Sequence, residues 1–313
     1  MANSTLLSLF QTTMQGMGVA AYGQPATVAG NTNQDVVQTL ALVNSAGGEL
    51  NREHGWQYSR IQRIFEATAF EYTGDTTVGS TSLTNMSSIT SLDTTFMVEG
   101  TGIPQDTFIS AAPAGTTVVM NREATATGTT ITITFSKVRF SVPSDFDRVV
   151  DRTQWDTDSH WEMIGPATPQ QQAILRSGIT VSGPRITHWF QEGYFQIWPP
   201  LGEDENLAYW YQSKWWILAA AATAVSKELF TVDTDTTIFP DPLMRALIKL
   251  KYLEAKGLWV GAPDEVGCPA YDYWKQVNLA KAHEAGSPTL SMAPRVADPL
   301  LGWRNMPDQG YGP

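Results

Sequence analysis

The side chains that most often do chemistry in proteins are few in this chain and lie far apart. The four histidines are His54, His160, His188 and His283, and no two of them have the four-residue spacing that presents a metal-binding pair on one helix face. We expect each histidine to lie at the surface or to pack against aromatic rings. The single cysteine, Cys268, lies between a glycine and a proline, where a small apolar filler is favoured over a nucleophile.

Acidic residues form short clusters at 156–159, 203–205 and 233–235, whose oxygen atoms could bind calcium. None of these clusters has the spacing of an EF-hand loop, so solvated turns are the favoured interpretation. Neighbouring carboxylates could also be taken for a glycosidase pair, but closeness in sequence does not place two carboxyl groups across a substrate. The pairs in question are Asp151 with Asp156 and Glu203 with Asp204.

Tryptophans in predicted strands could stack on sugar rings if they were exposed. An aromatic core between sheet and helices is the favoured interpretation, because large aromatic side chains are usually buried against a second layer. Adjacent tryptophans on a strand would point to opposite faces, so one of that pair could be exposed or lie at a subunit contact. The residues concerned are Trp189, Trp198, Trp210 and the adjacent pair Trp215 and Trp216.

No catalytic motif accompanies these residues. The sequence contains no phosphate-binding glycine loop, dinucleotide fingerprint, HExxH pair or nucleophile elbow. We therefore expect a protein that is not an enzyme and that has no catalytic residue, cofactor or metal.

The charge balance limits the partners of the chain. A formal net charge of −11 argues against a protein that binds nucleic acid by neutralising its phosphates. The apolar run at 218–224 is too short to cross a bilayer, and the first residues lack the basic region of a secretory signal. We expect a soluble protein with no membrane partner, made in a cytoplasm-like compartment.

The elements that must position these residues differ in composition along the chain. Residues 74–134 are rich in Ser and Thr, contain no Lys and no Trp, and are punctuated by glycines, which is typical of short strands joined by turns. The sequence therefore predicts an inserted all-β domain at 73–135 within a core domain formed by 1–72 and 136–286. The flanks 60–72 and 137–142 are predicted to be extended, like two strands of a hairpin.

Apolar periodicity predicts the helices of the core domain. The strongest pattern begins with Asp241 as the N-cap, and an antiparallel partner helix is predicted at 270–285. Another long helix is predicted at 33–53. Gly47 and Gly48 lie inside it, which implies that the helix ends there or that another backbone packs close. Shorter helices are predicted at 5–17 and 168–176.

Extended segments predict an antiparallel sheet with an aromatic face. These segments are 139–150, a hairpin within 185–198, and 207–218. The expected fold class is α+β, with a core of antiparallel helices, a small antiparallel sheet and the inserted all-β domain.

The segment 287–313 is predicted to be an extended C-terminal tail. It contains five prolines and isolated apolar residues that follow neither a helical nor a strand period. Such a segment suits a partner surface across which it can order, so we expect it to contact a neighbouring protein. Its apolar anchors are Leu290, Met292, Val296, Leu300, Leu301, Trp303, Met306 and Tyr311.

The order of these elements resembles the head-to-tail adaptor (connector) proteins of short-tailed bacteriophages, over about residues 33–72 and 136–285. The resemblance is carried by ELNREHGWQ at 49–57, PSDFDR at 143–148, WEMIG at 161–165 and PDPLMRALIKLKYLEAKG at 240–257. GTGIPQDTFI at 100–109 resembles small β modules of phage structural proteins. The inserted domain itself is a departure, since the simplest adaptors lack it.

The resemblance implies a homo-oligomeric ring of about twelve copies in the neck of the virion, joining capsid to tail. The implied partners are the portal protein, which the C-terminal anchors would contact, and tail tube, nozzle or tail fibre proteins, with assembly in the bacterial cytoplasm. DNA would pass through the channel during ejection without specific binding, although a basic stripe of Lys249, Lys251 and Lys256 could touch it. The alternative is a carbohydrate- or receptor-binding phage tail protein, and a polysaccharide-degrading enzyme is a third interpretation.

Overall fold

The structure is a computed structural model and describes residues 3–19, 23–177, 186–201, 204–220, 222 and 224–284. Within these ranges the helices are α1 (Leu6–Gly16), α2 (Gln34–Glu53), α3 (Pro169–Arg176), α4 (Asp241–Ala255) and α5 (Pro269–Glu284). The strands are β1 (Arg60–Ala67), β2 (Ala69–Thr76), β3 (Ser82–Leu83), β4 (Phe96–Gly100), β5 (Thr107–Phe108), β6 (Val118–Val119), β7 (Gly128–Lys137), β8 (Arg139–Ser141), β9 (Phe146–Val149), β10 (Trp155–Asp156), β11 (Trp161–Glu162), β12 (Thr187–Gln191), β13 (Tyr194–Trp198), β14 (Glu205–Ser213), β15 (Ile217–Leu218) and β16 (Thr236–Thr237).

Strands dominate the fold, so the predicted helical core with a small sheet is wrong. The order β1–β14–β10–β11, with β9 also on β14, forms one sheet. Further sheets have the orders β2–β7–β4–β5 and β12–β13–β8, and two-stranded sheets join β3 to β6 and β15 to β16. The fold is a sheet-rich α+β fold. Several strands are only two residues long, which is too short to show a two-residue period in sequence.

The predicted single sheet with an aromatic face is also wrong. The segment 207–218 is not one strand, because β14 ends at Ser213 and β15 starts at Ile217. β14 lies in a different sheet from the β12–β13 hairpin. The break follows a register shift at Gln212/Ser213, after which Asp145 accepts hydrogen bonds from the Ser213 hydroxyl (2.7 Å) and the Lys214 N–H (2.8 Å). The β12–β13 hairpin itself is confirmed.

The chain divides into two compact units. The first contains the described residues up to Ile61, Asp145–Val149, and those from Tyr211 onward; the second contains Gln62–Ser144 and the described part of Val150–Trp210. The first unit holds α1, α2, α4 and α5 around a core that includes Trp56, Trp216 and Phe239. Among the described residues, no helix has both the length and the apolar character needed to cross a bilayer.

The prediction of α2 is confirmed, and the structure explains the glycine pair inside it. The helix continues through Gly47 because the indole of Trp216 lies against that residue, where an added Cβ would be 2.4 Å from two ring carbons. A side chain, rather than the expected backbone, therefore makes the close approach. Nothing lies within 4 Å of a Cβ added at Gly48.

Helix starts follow local signals in two cases and a distant contact in a third. The Asn33 side chain accepts a hydrogen bond from the Asp35 N–H (2.9 Å) at the start of α2. Thr168 forms a capping box with Gln171 at the start of α3. Asp241 was predicted to cap α4 but is its first helical residue, because its carboxylate accepts hydrogen bonds from the backbone and hydroxyl of Ser4.

The second unit is built on the pairing of β2 with β7. The register runs from Ala69↔Ser136 to Gly74↔Ile131, so the two ends of the Ser/Thr-rich segment lie side by side. β4 pairs with the other edge of β7. A core of Leu83, Met86, Val98, Phe135 and similar side chains lies within this segment. The assignment of 73–135 as a separate inserted domain stays a prediction.

Candidate functional site

The histidines and the cysteine lie where packing or solvent explains them. His160 and His283 are exposed, His54 meets Trp56 edge-on at 4.8 Å, and His188 is buried. These positions confirm the expectation of surface or aromatic-packing sites. Cys268 is also buried; its thiol donates to the Ala262 carbonyl (3.0 Å). Over the described residues, no group of three or more metal-ligating side chains is found.

Residues 157–159 and 233–234 lie in turns, as expected, and carboxylates of the same two clusters also hold the backbone. Asp156 is 5% exposed and accepts hydrogen bonds from the N–H groups of Asp158 (3.1 Å) and Ser159 (3.0 Å). Asp233 accepts from the N–H groups of Val28 (2.9 Å) and Ala29 (2.7 Å). The structure does not describe Glu203. These carboxylates are engaged with backbone donors, which the sequence spacing alone did not show.

The tryptophans separate into buried and exposed groups. Trp189, Trp198 and Trp216 are at most 6% exposed and belong to the interior, as the favoured interpretation predicted. Trp210, in contrast, is 40% exposed, and Trp215 is intermediate. The eight apolar anchors of the predicted tail all lie outside the described residues.

Helix α5 has apolar side chains on two different sides. Ala270, Val277 and Ala280 are buried, and the last two belong to the core of the first unit. Trp274 and Leu279 remain 37% and 44% exposed. Trp274 borders the buried stripe and Leu279 lies across the helix from it, and packing within this unit leaves both side chains partly in water.

The exposed side of α5 borders an open groove of about 310 Å³. Trp274 and Leu279 line it together with Tyr271, the aliphatic stem of Lys275 and Pro263. The groove therefore presents two aromatic rings and an aliphatic side chain to solvent. This composition is typical of the centre of a protein interface, where aromatic residues are enriched.

The connection between α4 and α5 adds three more exposed apolar side chains. Leu258, Trp259 and Val266 are 55%, 66% and 80% exposed. We call these three residues, with Trp274 and Leu279, the hairpin surface. A large apolar side chain that stays in water forgoes about 1.5–3 kcal/mol of burial free energy. An exposed apolar set of this kind on one helical hairpin is a candidate interaction surface.

Three basic residues of the same hairpin form ion pairs. Three lysines on or beside α4 were the residues considered able to touch DNA, and each one pairs with a carboxylate. The hydrogen bond to Asp35 also raises the pKa of Lys256. The pairs are Lys249 with Asp272 (3.7 Å), Lys251 with Glu254 (2.9 Å), and Lys256 with Asp35.

Sequence reasoning missed the hairpin surface. Trp274 lies four residues after Ala270 and three before Val277, so its spacing in the sequence matches the buried stripe of α5. Partner contacts were instead expected from the C-terminal anchors. Which side of α5 faces the core depends on α4 and α2, and sequence does not reveal that choice.

Comparison with known proteins adds no relative: no family model matches this chain, and no curated protein matches it.

Proposed function

We propose that this chain is a structural subunit, a head-to-tail adaptor that assembles into a ring beneath the portal of a short-tailed phage. The observation that carries the proposal is the hairpin surface, whose exposed tryptophans are Trp274 in the second turn of α5 and Trp259 in the preceding connection. Such a surface supports contact between copies or with a neighbouring protein rather than turnover of a small molecule.

The charge of the chain supports a channel through which DNA slides. The net charge is −11, and the lysines of the long helix pair with carboxylates. Lysines that are held by carboxylates release fewer counterions from phosphate, and that release is the main source of non-specific affinity for DNA. Weak attraction suits a passage that DNA must traverse.

The test is the mass of the purified chain, measured by analytical ultracentrifugation alone and after mixing with the portal ring from the same genome. We expect a closed multimer, or a complex that forms only with the portal. A chain that stays monomeric in both mixtures would overturn the proposal.

A double variant tests the contact surface itself. Trp274→Ser with Leu279→Ser should raise the dissociation constant of the multimer, or of its portal complex, by at least about thirtyfold, because truncating an interface anchor costs about 2 kcal/mol. The matched control is Val78→Ser, a 60% exposed apolar residue in the other unit, and it should leave the mass unchanged. If the double variant and Val78→Ser had equal effects, the hairpin surface would not be the contact.

A further inference from the structure

A separate groove of about 430 Å³ opens on the second unit, and the proposed assembly role does not use it. Its floor includes Ala208 of β14, which is 3% exposed and pairs directly with Trp155 of β10. Trp210 lies two residues further along β14, so its side chain is on the same face as Ala208. The indoles of Trp155 and Trp210 therefore form a diagonal cross-strand pair beside the methyl group of Ala208.

The backbone around Trp210 holds this groove in shape. The Trp210 N–H donates to the Thr153 hydroxyl (3.2 Å), and the Trp210 carbonyl accepts from the Val150 N–H (2.9 Å). On the opposite wall, the Thr157 N–H and hydroxyl both donate to the Asn206 carbonyl (2.9 and 2.7 Å). A preformed groove of this kind is what small-ligand sites require, since little ordering remains to be done on binding.

Two residues on the rim have unusual backbone conformations. Arg152 and His160 have φ values of 59° and 58°, in the left-handed region that non-glycine residues seldom occupy. Each such residue costs of order 1 kcal/mol, and strain of this kind is concentrated at sites where side chains must be aimed. Both side chains line the groove.

The charged side chains at the groove already have partners. The Arg152 guanidinium pairs with Glu162 (Nε to Oε1, 3.4 Å), and the Asp156 carboxylate accepts two backbone N–H groups. A phosphate would compete with Glu162 for Arg152, and the Asp156 carboxylate, which is 5% exposed, offers little accessible negative charge to a cation. An uncharged ligand with an apolar face and many hydroxyl groups meets neither cost.

We propose that this groove binds the pyranose ring of an uncharged sugar. The C–H face of the ring lies against the indole of Trp210, with Trp155 at its edge. Gln62, Arg152 and His160 stand on the rim and supply hydrogen-bonding groups for the ring hydroxyls.

The experiment is saturation-transfer NMR of the full chain with three probes: methyl β-glucopyranoside, methyl β-galactopyranoside and methyl N-acetyl-β-glucosaminide. We expect the ring protons of at least one probe to be saturated. Adenosine monophosphate and tetramethylammonium serve as anionic and cationic comparisons. The proposal would be overturned if none of the three sugar probes were saturated, or if only a charged probe were saturated.

Variants locate the binding. Trp210→Ala should raise the dissociation constant of the sugar at least about tenfold, because the indole on which the sugar ring stacks is lost. Trp259→Ala is the matched control, since it removes a 66% exposed indole from the other unit and should not change sugar binding. Trp210→Phe, which keeps a flat ring, should retain part of the affinity, and it protects the test should the alanine variant fold poorly. Unchanged binding in Trp210→Ala would place the sugar elsewhere.

The outcome is independent of the assembly role. The mass of the multimer should be the same for Trp210→Ala and the unchanged chain, since Trp210 is not part of the hairpin surface. If Trp210→Ala dissociates the multimer, the groove is a subunit contact and the sugar assignment is overturned.

Discussion

In acid the free energy of unfolding of this fold falls, and replacing His188 with phenylalanine should make that fall smaller by about 3 kcal/mol. His188 lies in β12 and is 0% exposed. Neither ring nitrogen has a hydrogen-bond partner in the part of the chain that the structure describes. The ring is stacked near Phe195, with 5.3 Å between ring centroids. Burial lowers the pKa of His188 to about 4.

The sign and size follow from the two pKa values. The unfolded pKa is near 6.5 and the folded pKa is about 4, so the unfolded chain binds more protons between these values. The stability that neutral His188 contributes is therefore fully present above about pH 6.5, and it is lost as the pH falls toward about 4. The shift is 6.5 − 4 = 2.5 units. At about 1.36 kcal/mol per unit it corresponds to about 3 kcal/mol.

Urea unfolding between pH 7.5 and pH 4, followed by tryptophan fluorescence, measures this loss. The free energy of unfolding of His188→Phe should fall by about 3 kcal/mol less over that range than that of the unchanged chain, whatever the stability of the variant at neutral pH. His283→Gln, at an exposed position, is the control and should keep the original pH dependence. If His188→Phe keeps the full acid dependence as well, buried neutral His188 is not its source.

Three further changes test individual positions by thermal or urea unfolding. Gly47→Ala should destabilise the chain by about 2 kcal/mol because the new methyl group collides with Trp216. Gly48→Ala, with open space around it, should instead stabilise α2 by up to about 1 kcal/mol. Asp235→Asn should cost about 2 kcal/mol, because the 1% exposed carboxylate accepts the Lys227 ammonium (2.7 Å) and two backbone N–H groups.

Controls separate these effects from general damage. Losses of equal size at Gly47 and Gly48 would show that Trp216 is not the cause. Glu228→Gln removes a carboxylate whose side chain is 42% exposed and is paired with Arg52, so it should change stability by less than about 1 kcal/mol. An Asp235→Asn variant as mild as Glu228→Gln would contradict the importance of the buried pair.

Local signals in the sequence predicted the helices well. The apolar period of α2 and the capping side chains of Asn33 and Thr168 act over one turn, so sequence contains all that is needed. Asp241 shows the limit, because its carboxylate is occupied by Ser4, which is 237 positions away in the chain. Such a contact depends on the folded structure and has no local pattern.

The sheets were predicted less well, for a related reason. A two-residue strand such as Trp155–Asp156 exists because β14 and β11 lie on either side of it, not because of its own sequence. The same applies to Trp210. Its alternation with Tyr209 and Tyr211 predicts that it points away from them, but not that its face of the sheet is the one left in water.

The pairing of β2 with β7 also bears on how this protein could be altered. Opposed residues such as Thr73 and Thr132 have Cα atoms only about 5 Å apart in an antiparallel pair. A two-residue turn could therefore close the chain at that point, or a different β cassette could be spliced onto the same two strands. If the predicted inserted domain at 73–135 folds separately, a chain closed by such a turn should keep the rest of its fold.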